Sequence, residues 1–133
     1  MENTNKIAHL EFIQNTIIRM SSNSFTLKGW CVTIIAALVA LSIKESSFWL
    51  YLFTIVPTTA FWLLDSYYLL QEKLFRHLYD DVRTKNEDEI NFSFDISSYK
   101  SKESYAKIVF DNVSTSGFYL PLIGLLLLIC VIA

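Results

Sequence analysis

The chain has 133 residues, of which 53% are hydrophobic and 18% are charged, and its formal net charge is −2. This length accommodates one domain, and the hydrophobic fraction is too high for an ordinary soluble fold of that size. The net charge of the whole chain carries no information about nucleic acid or anionic surfaces. We predict no nucleic acid among the partners.

The sequence lacks the residue arrangements on which enzyme chemistry depends. Cys31 and Cys130 stand alone at the edges of apolar stretches, and the chain has three glycines, too few for a phosphate-binding loop. No nucleophile arrangement and no cluster with the spacing of metal ligands is present. We therefore predict a protein that is not an enzyme, with no catalytic residues, no cofactor and no metal site.

Three blocks of the chain contain no charged residue, a distribution typical of a membrane protein with soluble pieces. Residues 29–43, 48–64 and 117–133 contain no Asp, Glu, Lys or Arg. A helix of about 17 residues covers roughly 25 Å, the low end of what crosses a bilayer core. We predict three transmembrane helices, at residues 27–43, 48–64 and 117–133.

The distribution of lysine and arginine predicts the orientation of these spans. Three basic residues precede the uncharged block 29–43, one lies in the connector 44–47, seven lie in residues 65–116 and none follows the third span. Because basic residues concentrate on the cytoplasmic side, we place the N-terminus and residues 65–116 in the cytoplasm and the C-terminus outside. The expected location is a bacterial inner (cytoplasmic) membrane, with the lipid bilayer as a partner.

The charged segments next to the first two spans have the periodicity of helices. Apolar residues recur at spacings of three and four in residues 5–26 and 65–85, which indicates two helical extensions. The short connector makes the first two spans an antiparallel hairpin. The predicted fold is a single all-α membrane domain with three transmembrane helices, in which the first hairpin extends into the cytoplasm as an antiparallel coiled-coil-like pair.

The register of this hairpin predicts two charge pairs. If the turn is centred on the connector, two residues whose numbers sum to about 91 lie opposite each other, at the same height along the hairpin. Arg19 then meets Glu72, and Lys28 lies beside Asp65.

A polar stripe on the second span allows two interpretations. Thr54, Thr58 and Asp65 fall within about 40° of one another on a helix that turns about 100° per residue. In one interpretation Lys28 neutralises an interfacial Asp65, and the threonines bond their own backbone near a bend at Pro57. In the other interpretation, the three residues line an oligomeric pore, with Asp65 forming an acidic ring at its mouth.

Small residues form two faces that allow close helix packing. The neighbour of the first-span face is either the second span or another subunit. The candidate packing residues are Thr33, Ala36, Ala37 and Ala40 in the first span, and Gly117 and Gly124 in the third.

Residues 86–113 differ from the rest of the chain. Phe92, Phe94 and Ile96 alternate with polar residues, which suits a short strand or an extended arm. Residues 102–113 have the pattern of a short amphipathic helix. The three apolar residues are candidate contacts for a soluble cytoplasmic protein partner.

Four runs of sequence carry a resemblance to a known family. They are HLEFIQ at 9–14, NSFTLKGW at 23–30, FWLLDSYY at 61–68 and EKLFR at 72–76. Together they resemble the RipA-like octameric membrane proteins of bacteria, over residues 7–83. The resemblance implies a ring of identical subunits in the inner membrane, with eight as the family's number. It also implies that the charged residues just below the lipid form pairs within and between subunits.

Two functions from different classes follow from these patterns. The first is a homo-oligomer that forms or gates a pore, or otherwise perturbs membrane permeability, as an effector in stress or phage defence. The second is a non-conducting scaffold or accessory subunit that docks a soluble partner through its cytoplasmic helices. A polar lining of the second span favours the first function, and contacts through residues 86–113 favour the second.

Overall fold

The computed structural model describes residues 3–132, and every regular element within them is helical. Helix α1 extends without interruption over Thr4–Glu45, so the predicted cytoplasmic helix 5–26 and the first span 27–43 are one rod. At 1.5 Å per residue this rod is about 63 Å long, roughly twice the thickness of a bilayer core. About half of α1 therefore extends beyond the lipid if the helix crosses a membrane.

The second long helix is broken once. Helix α2 spans Phe48–Phe53 and helix α3 spans Ile55–Thr84, with Thr54 between them. Pro57 has no N–H with which to continue the helical hydrogen bonds, and the backbone N–H of Thr54 donates to the carbonyl of Tyr51 at 3.1 Å, which tightens the turn. The predicted span 48–64 and extension 65–85 are otherwise continuous.

The remaining chain forms short elements and one further apolar helix. Residues Glu87–Glu89 and Ser97–Lys102 are 3₁₀ turns. Helix α4 spans Tyr105–Asp111, which is shorter than the predicted helix 102–113, and helix α5 spans Ser116–Ile132. The predicted third span ends at Ala133, which lies outside the described residues.

The suggestion of a strand at residues 92–96 is wrong. These residues are irregular, and Phe92 has a left-handed φ of 55°. The side chains of Asn91, Ser93 and Asp95 each accept a hydrogen bond from the backbone N–H two residues further on. Such local bonds compete with an extended conformation.

Two helices of the structure are long and apolar enough to cross a membrane, namely Thr4–Glu45 and the unit Phe48–Thr84. A third span results only if α4 and α5, bent by 56° relative to each other, are counted as one. The prediction of an all-helical protein with apolar helices that could cross a membrane is confirmed.

Helix α1 packs along α3 through two separate apolar cores. One core lies among the uncharged stretches. The other lies in the stalk, which we define as residues 4–27 of α1 and 66–84 of α3. Buried members of the first core are Cys31, Ile35, Trp62, Val109, Tyr119 and Leu126, and those of the second are Ile13, Ile17, Leu78, Val82 and Ile90.

Contacts at both ends of the stalk agree with the predicted antiparallel register. Lys6 Nζ donates to the carbonyls of Arg83 at 3.0 Å and Lys85 at 2.6 Å, and Lys28 contacts Asp65. The paired residue numbers sum to between 89 and 93, close to the expected 91. The connector therefore sets the height of every residue in the hairpin.

His9 joins the irregular segment to α1 in the stalk. Its side chain is buried, its Nε2 has no hydrogen-bond partner, and its ring lies 5.3 Å from the rings of both Phe92 and Phe94. Burial lowers the pKa of His9 below its ordinary value. The neutral imidazole is therefore the form that this packing accommodates.

Acidification is expected to loosen residues 90–96 from α1. Because the folded-state pKa of His9 is below its unfolded value, its stabilising contribution is complete above about pH 6.5 and is lost as the pH falls through the folded pKa. Hydrogen exchange of residues 86–99 at about pH 7.5 and about pH 5, corrected for intrinsic rates, measures this. The pH dependence should disappear in His9→Leu and persist in His77→Gln. Equal protection of the wild type at both pH values would contradict the expectation.

Candidate functional site

Asp65 is the most deeply buried charged residue that the sequence singled out. It directly follows the last uncharged residue of the second apolar stretch, and its side chain is 0% exposed. A carboxylate buried without partners costs several kcal/mol. Its surroundings must therefore supply both opposite charge and hydrogen bonds.

Three side chains from two other helices surround the Asp65 carboxylate. Lys28 Nζ lies 2.5 Å from Oδ2, and the Tyr119 hydroxyl donates to the same oxygen at 3.0 Å. Ser24 Oγ donates to Oδ1. We call these four residues the Asp65 cluster. Because Ser24 and Lys28 belong to α1 and Tyr119 to α5, the cluster is the point where α1, α3 and α5 meet, and it contains the predicted pair Lys28–Asp65.

The Lys28 ammonium is also surrounded by oxygen. Besides Asp65, it donates to Ser24 Oγ at 3.1 Å and to Ser114 Oγ at 3.4 Å, and it lies 5.9 Å from the centre of the Phe118 ring. Its side chain is 18% exposed. Each of the three ammonium protons therefore has an oxygen acceptor, as a partly buried lysine requires.

Trp62 attaches α4 to this cluster. Its Nε1 donates to the carbonyl of Val109 at 3.0 Å, an acceptor left free at the end of α4. Its ring stacks on that of Tyr119, with centroids 6.3 Å apart and planes inclined by 14°. The position of α4 is thus coupled to the residues that hold Asp65.

Sequence reasoning missed Ser24 and Tyr119. The antiparallel register could have found Ser24, because 24 and 65 sum to 89 and a hydroxyl one turn before Lys28 lies on the same side of α1. No comparable register relates α5 to the hairpin. Tyr119 could not have been found from spacing.

The prediction that Thr54, Thr58 and Asp65 line a pore is corrected by their burial. All three are 0% exposed within a single chain. Thr54 Oγ1 donates to the carbonyl of Tyr51 at 2.6 Å and Thr58 Oγ1 to that of Thr54 at 2.8 Å. The alternative of threonines that bond their own backbone describes this geometry.

The predicted pair of Arg19 and Glu72 is also corrected. Glu72 is buried and accepts from Arg76, one turn along the same helix, with Nη2 at 2.8 Å from Oε1. Arg19 is exposed. It lies two residues from the buried Ile17. Two residues turn about 200° around the axis of α1, so Arg19 is on the side of the helix that faces away from α3. The register gave the height of Arg19 correctly but not its direction.

The small-residue faces lie on the surface of the subunit. Within the membrane-length part of α1, the residues packed inward are Cys31 and Ile35. The second span is therefore not the neighbour of the small face, and that alternative is wrong. The exposed residues are Thr33, Ala36, Ala37 and Ala40 of α1, and Gly117 and Gly124 of α5.

The candidate partner contacts Phe92, Phe94 and Ile96 are engaged within the chain. Both phenylalanines contact His9 and remain 42% exposed. Ile96 packs on the stalk core. Residues 86–96 are therefore part of the fold, and only the outer edges of the two phenylalanine rings are open to a partner.

The Asp65 cluster holds three helices together through an ion pair and hydrogen bonds. The carboxylate accepts at both oxygens and faces no open cavity. Within residues 3–132 no group of three or more His, Cys, Asp or Glu is placed to hold a metal ion.

Comparison of the chain with protein-family models, curated proteins and solved structures found no match. The resemblance to the RipA-like family therefore stays a prediction.

Removal of one member of the ion pair should be far more harmful than removal of both. Asp65→Ala leaves the Lys28 charge without its partner and is expected to cost about 3–5 kcal/mol, whereas Lys28→Met with Asp65→Leu should recover at least half of that loss. Thermal unfolding of the purified protein in detergent measures both.

Arg83→Ala is the matched control, because the Arg83–Asp80 pair is exposed on one helix and is worth at most about 1 kcal/mol. A double variant as unstable as Asp65→Ala would show that packing or the Tyr119 bond, and not charge pairing, carries the stability.

Proposed function

We propose that the chain is a homo-oligomeric membrane protein that acts as a non-conducting scaffold, and that α1 is the helix through which its subunits associate. The observation that carries this proposal is the composition of the α1 surface that faces away from α3. That surface has large apolar residues in the stalk and small residues in the membrane-length part.

The stalk part of α1 exposes four large apolar side chains. Ile7 is 57% exposed, Phe12 61%, Ile18 55% and Phe25 80%. Ile7 and Phe12 lie about 31 Å and 24 Å along the helix from Lys28, at 1.5 Å per residue. Lipid does not reach so far beyond the end of the uncharged stretch, so these side chains need a protein neighbour.

The exposed side of α3 in the stalk is different. Arg76, Asp80 and Arg83 have side chains that are 57%, 66% and 62% exposed. A charged surface of this kind is stable in water. The contrast assigns the association surface to α1 and the water-facing surface to α3.

The geometry of the α1 surface suits a ring. At about 100° per residue, Ile7, Ile18 and Phe25 lie within about 20° of one another, and Phe12 lies about 140° away from Ile7. A twofold dimer buries the same patch on both subunits, whereas two different patches on one subunit join head to tail and close into a ring. The predicted octamer is one such ring.

The membrane-length part of α1 supports close subunit contact. Ala36, Ala37 and Ala40 are exposed next to Thr33, whose hydroxyl donates to the carbonyl of Gly29 at 2.9 Å. Helices associate in lipid through such small surfaces, because their backbones approach closely there. Around the axis of α1, these small residues lie between the directions of Ile7 and Phe12, so the same side of α1 offers contacts in both solvents.

The proposed placement in the membrane has three spans, with α5 as the third. The N-terminus and residues 65–116 are in the cytoplasm of a bacterial cell, and the C-terminus is outside. The excess of basic residues in residues 1–28 and 65–116 supports this orientation. The length of α5, 17 uncharged residues from Ser116, is sufficient for a span with little tilt.

Cysteine labelling in whole cells should find the two ends of residues 80–131 on opposite sides of the membrane. In a variant without Cys31 and Cys130, a cysteine at the exposed Asp80 should react only after the membrane is permeabilised. A cysteine at the exposed Val131 should react with an impermeant maleimide in intact cells. Labelling of both positions from the same side would overturn the three-span placement.

The break at Thr54 favours a second candidate function, a pore or permeability change. Interruption of a helix at membrane depth is tolerated where the backbone is buried in protein or lines a water-filled cavity. Thr54 lies near the middle of the uncharged stretch 48–64. Because its side chain is buried, conduction would require the subunit to rearrange around this break.

Charge placed on the association surface should separate the subunits. Phe12→Glu with Ile18→Glu is expected to convert the oligomer to smaller species, because like charges would face apolar neighbours in every interface. Light scattering of the protein in detergent measures the mass. Vesicles containing the wild-type oligomer should retain a trapped dye.

The control is Arg83→Glu with Thr84→Glu, which adds acidic side chains to the exposed face of α3 and should keep the oligomer. An oligomer that survives Phe12→Glu with Ile18→Glu would contradict association through α1. Dye release by the intact wild-type oligomer would instead favour the pore.

A further inference from the structure

A concavity beside α4 gathers three lysines from three separate elements. Lys73 of α3, Lys102 at the end of the second 3₁₀ turn and Lys107 of α4 line it together. No ion pair within residues 3–132 includes any of them. Lys102 has one aromatic neighbour, with Nζ 5.4 Å from the centre of the Tyr99 ring.

The acidic residues at this concavity do not cancel its charge. Glu103 and Asp111 also line it. Glu103 Oε1 is 2.9 Å from Nε2 of His77 and is therefore already hydrogen-bonded. Asp111 remains as the carboxylate not bonded to a neighbour here, against three lysines, so the concavity has an excess of positive charge. The hydroxyls of Ser101 and Ser104 add neutral hydrogen-bonding groups.

The concavity lies at the end of the uncharged stretch of α3. The Tyr105 hydroxyl donates to the carbonyl of Leu63 at 2.7 Å, which fixes the start of α4 just before Asp65. Lys73 is eight residues beyond Asp65, or about 12 Å along the helix. A lysine side chain spans about half of that distance, so its ammonium reaches the depth of a headgroup layer.

Apolar side chains are exposed near the concavity, at the end of α4 and just after it. Phe110 is 63% exposed and Val113 is 85% exposed. Phe110 lies beside Trp62, with ring centroids 5.8 Å apart. Lysines gathered next to exposed apolar side chains have the pattern of a surface that meets a membrane.

We propose that this concavity binds the phosphate-bearing headgroup of an anionic phospholipid. The three ammonium groups contact the phosphate oxygens, and Phe110 and Val113 contact the acyl chains of the same leaflet. A free phosphate would use the lysines alone, whereas the adjacent apolar side chains are accounted for only by a lipid. The proposal rests on the membrane placement proposed above and is independent of whether the oligomer conducts.

Lipid selectivity of the full-length protein in detergent tests the site. Native mass spectrometry compares binding of phosphatidylglycerol and phosphatidylcholine with identical acyl chains. Lysines near a membrane surface each contribute about fivefold in affinity for anionic lipid. The variant K73Q/K102Q/K107Q should therefore lose at least about tenfold of the preference for phosphatidylglycerol. Circular dichroism verifies that the variant is folded.

The matched control removes three positive charges elsewhere. The variant R19Q/R83Q/K100Q changes exposed residues outside the concavity and should keep the preference. Equal losses in both triple variants would overturn the site in favour of general attraction.

A further arm distinguishes a lipid from free phosphate. Phe110→Ser should weaken phosphatidylglycerol binding, and inorganic phosphate at millimolar concentration should not displace the lipid. Displacement by inorganic phosphate with no effect of Phe110→Ser would overturn the lipid assignment. The cysteine labelling described above reports on membrane placement separately, so a misplaced α4 and an absent lipid site give different results.

Discussion

The burial of the Asp65 charge is the constraint on which the arrangement of the helices depends. A fully buried carboxylate is stable only when a cation and hydrogen-bond donors meet it, and here these come from two other helices. Lys28 and Ser24 hold α1 against α3, and Tyr119 holds α5 against both. Trp62, stacked on Tyr119, extends the same contact to α4. One electrostatic contact thus fixes the relative positions of four helices.

This use of charge limits the functions that the same residues can serve. A carboxylate that is fully buried and accepts from Lys28, Ser24 and Tyr119 is closed to a passing ion in this arrangement, and the threonines above it bond their own helix. The polar groups of the second apolar stretch therefore stabilise the subunit from within. The scaffold proposal assigns the outer surface of the subunit to lipid and to other copies of the chain.

The expected change of solvent along α1, from lipid to water, connects the proposals of subunit association and lipid binding. Toward one end of the rod, small side chains suit close packing in lipid. In the stalk, large apolar side chains are exposed where water would otherwise meet them. The boundary between these regions lies near Lys28, at the depth where the concavity beside α4 gathers three lysines near exposed apolar residues. Subunit association is thus expected on α1 and lipid binding beside α4, both near this boundary.

The sequence by itself determined the helical class, the uncharged stretches and the height of each residue in the hairpin, because periodicity and a short connector act locally along the chain. It therefore predicted that Lys28 lies beside Asp65. Only the tertiary structure decided which way side chains point around each helix axis, and so Arg19 faces outward while Glu72 bonds Arg76. Contacts to α4 and α5 were also decided in three dimensions, because no register links those helices to the hairpin.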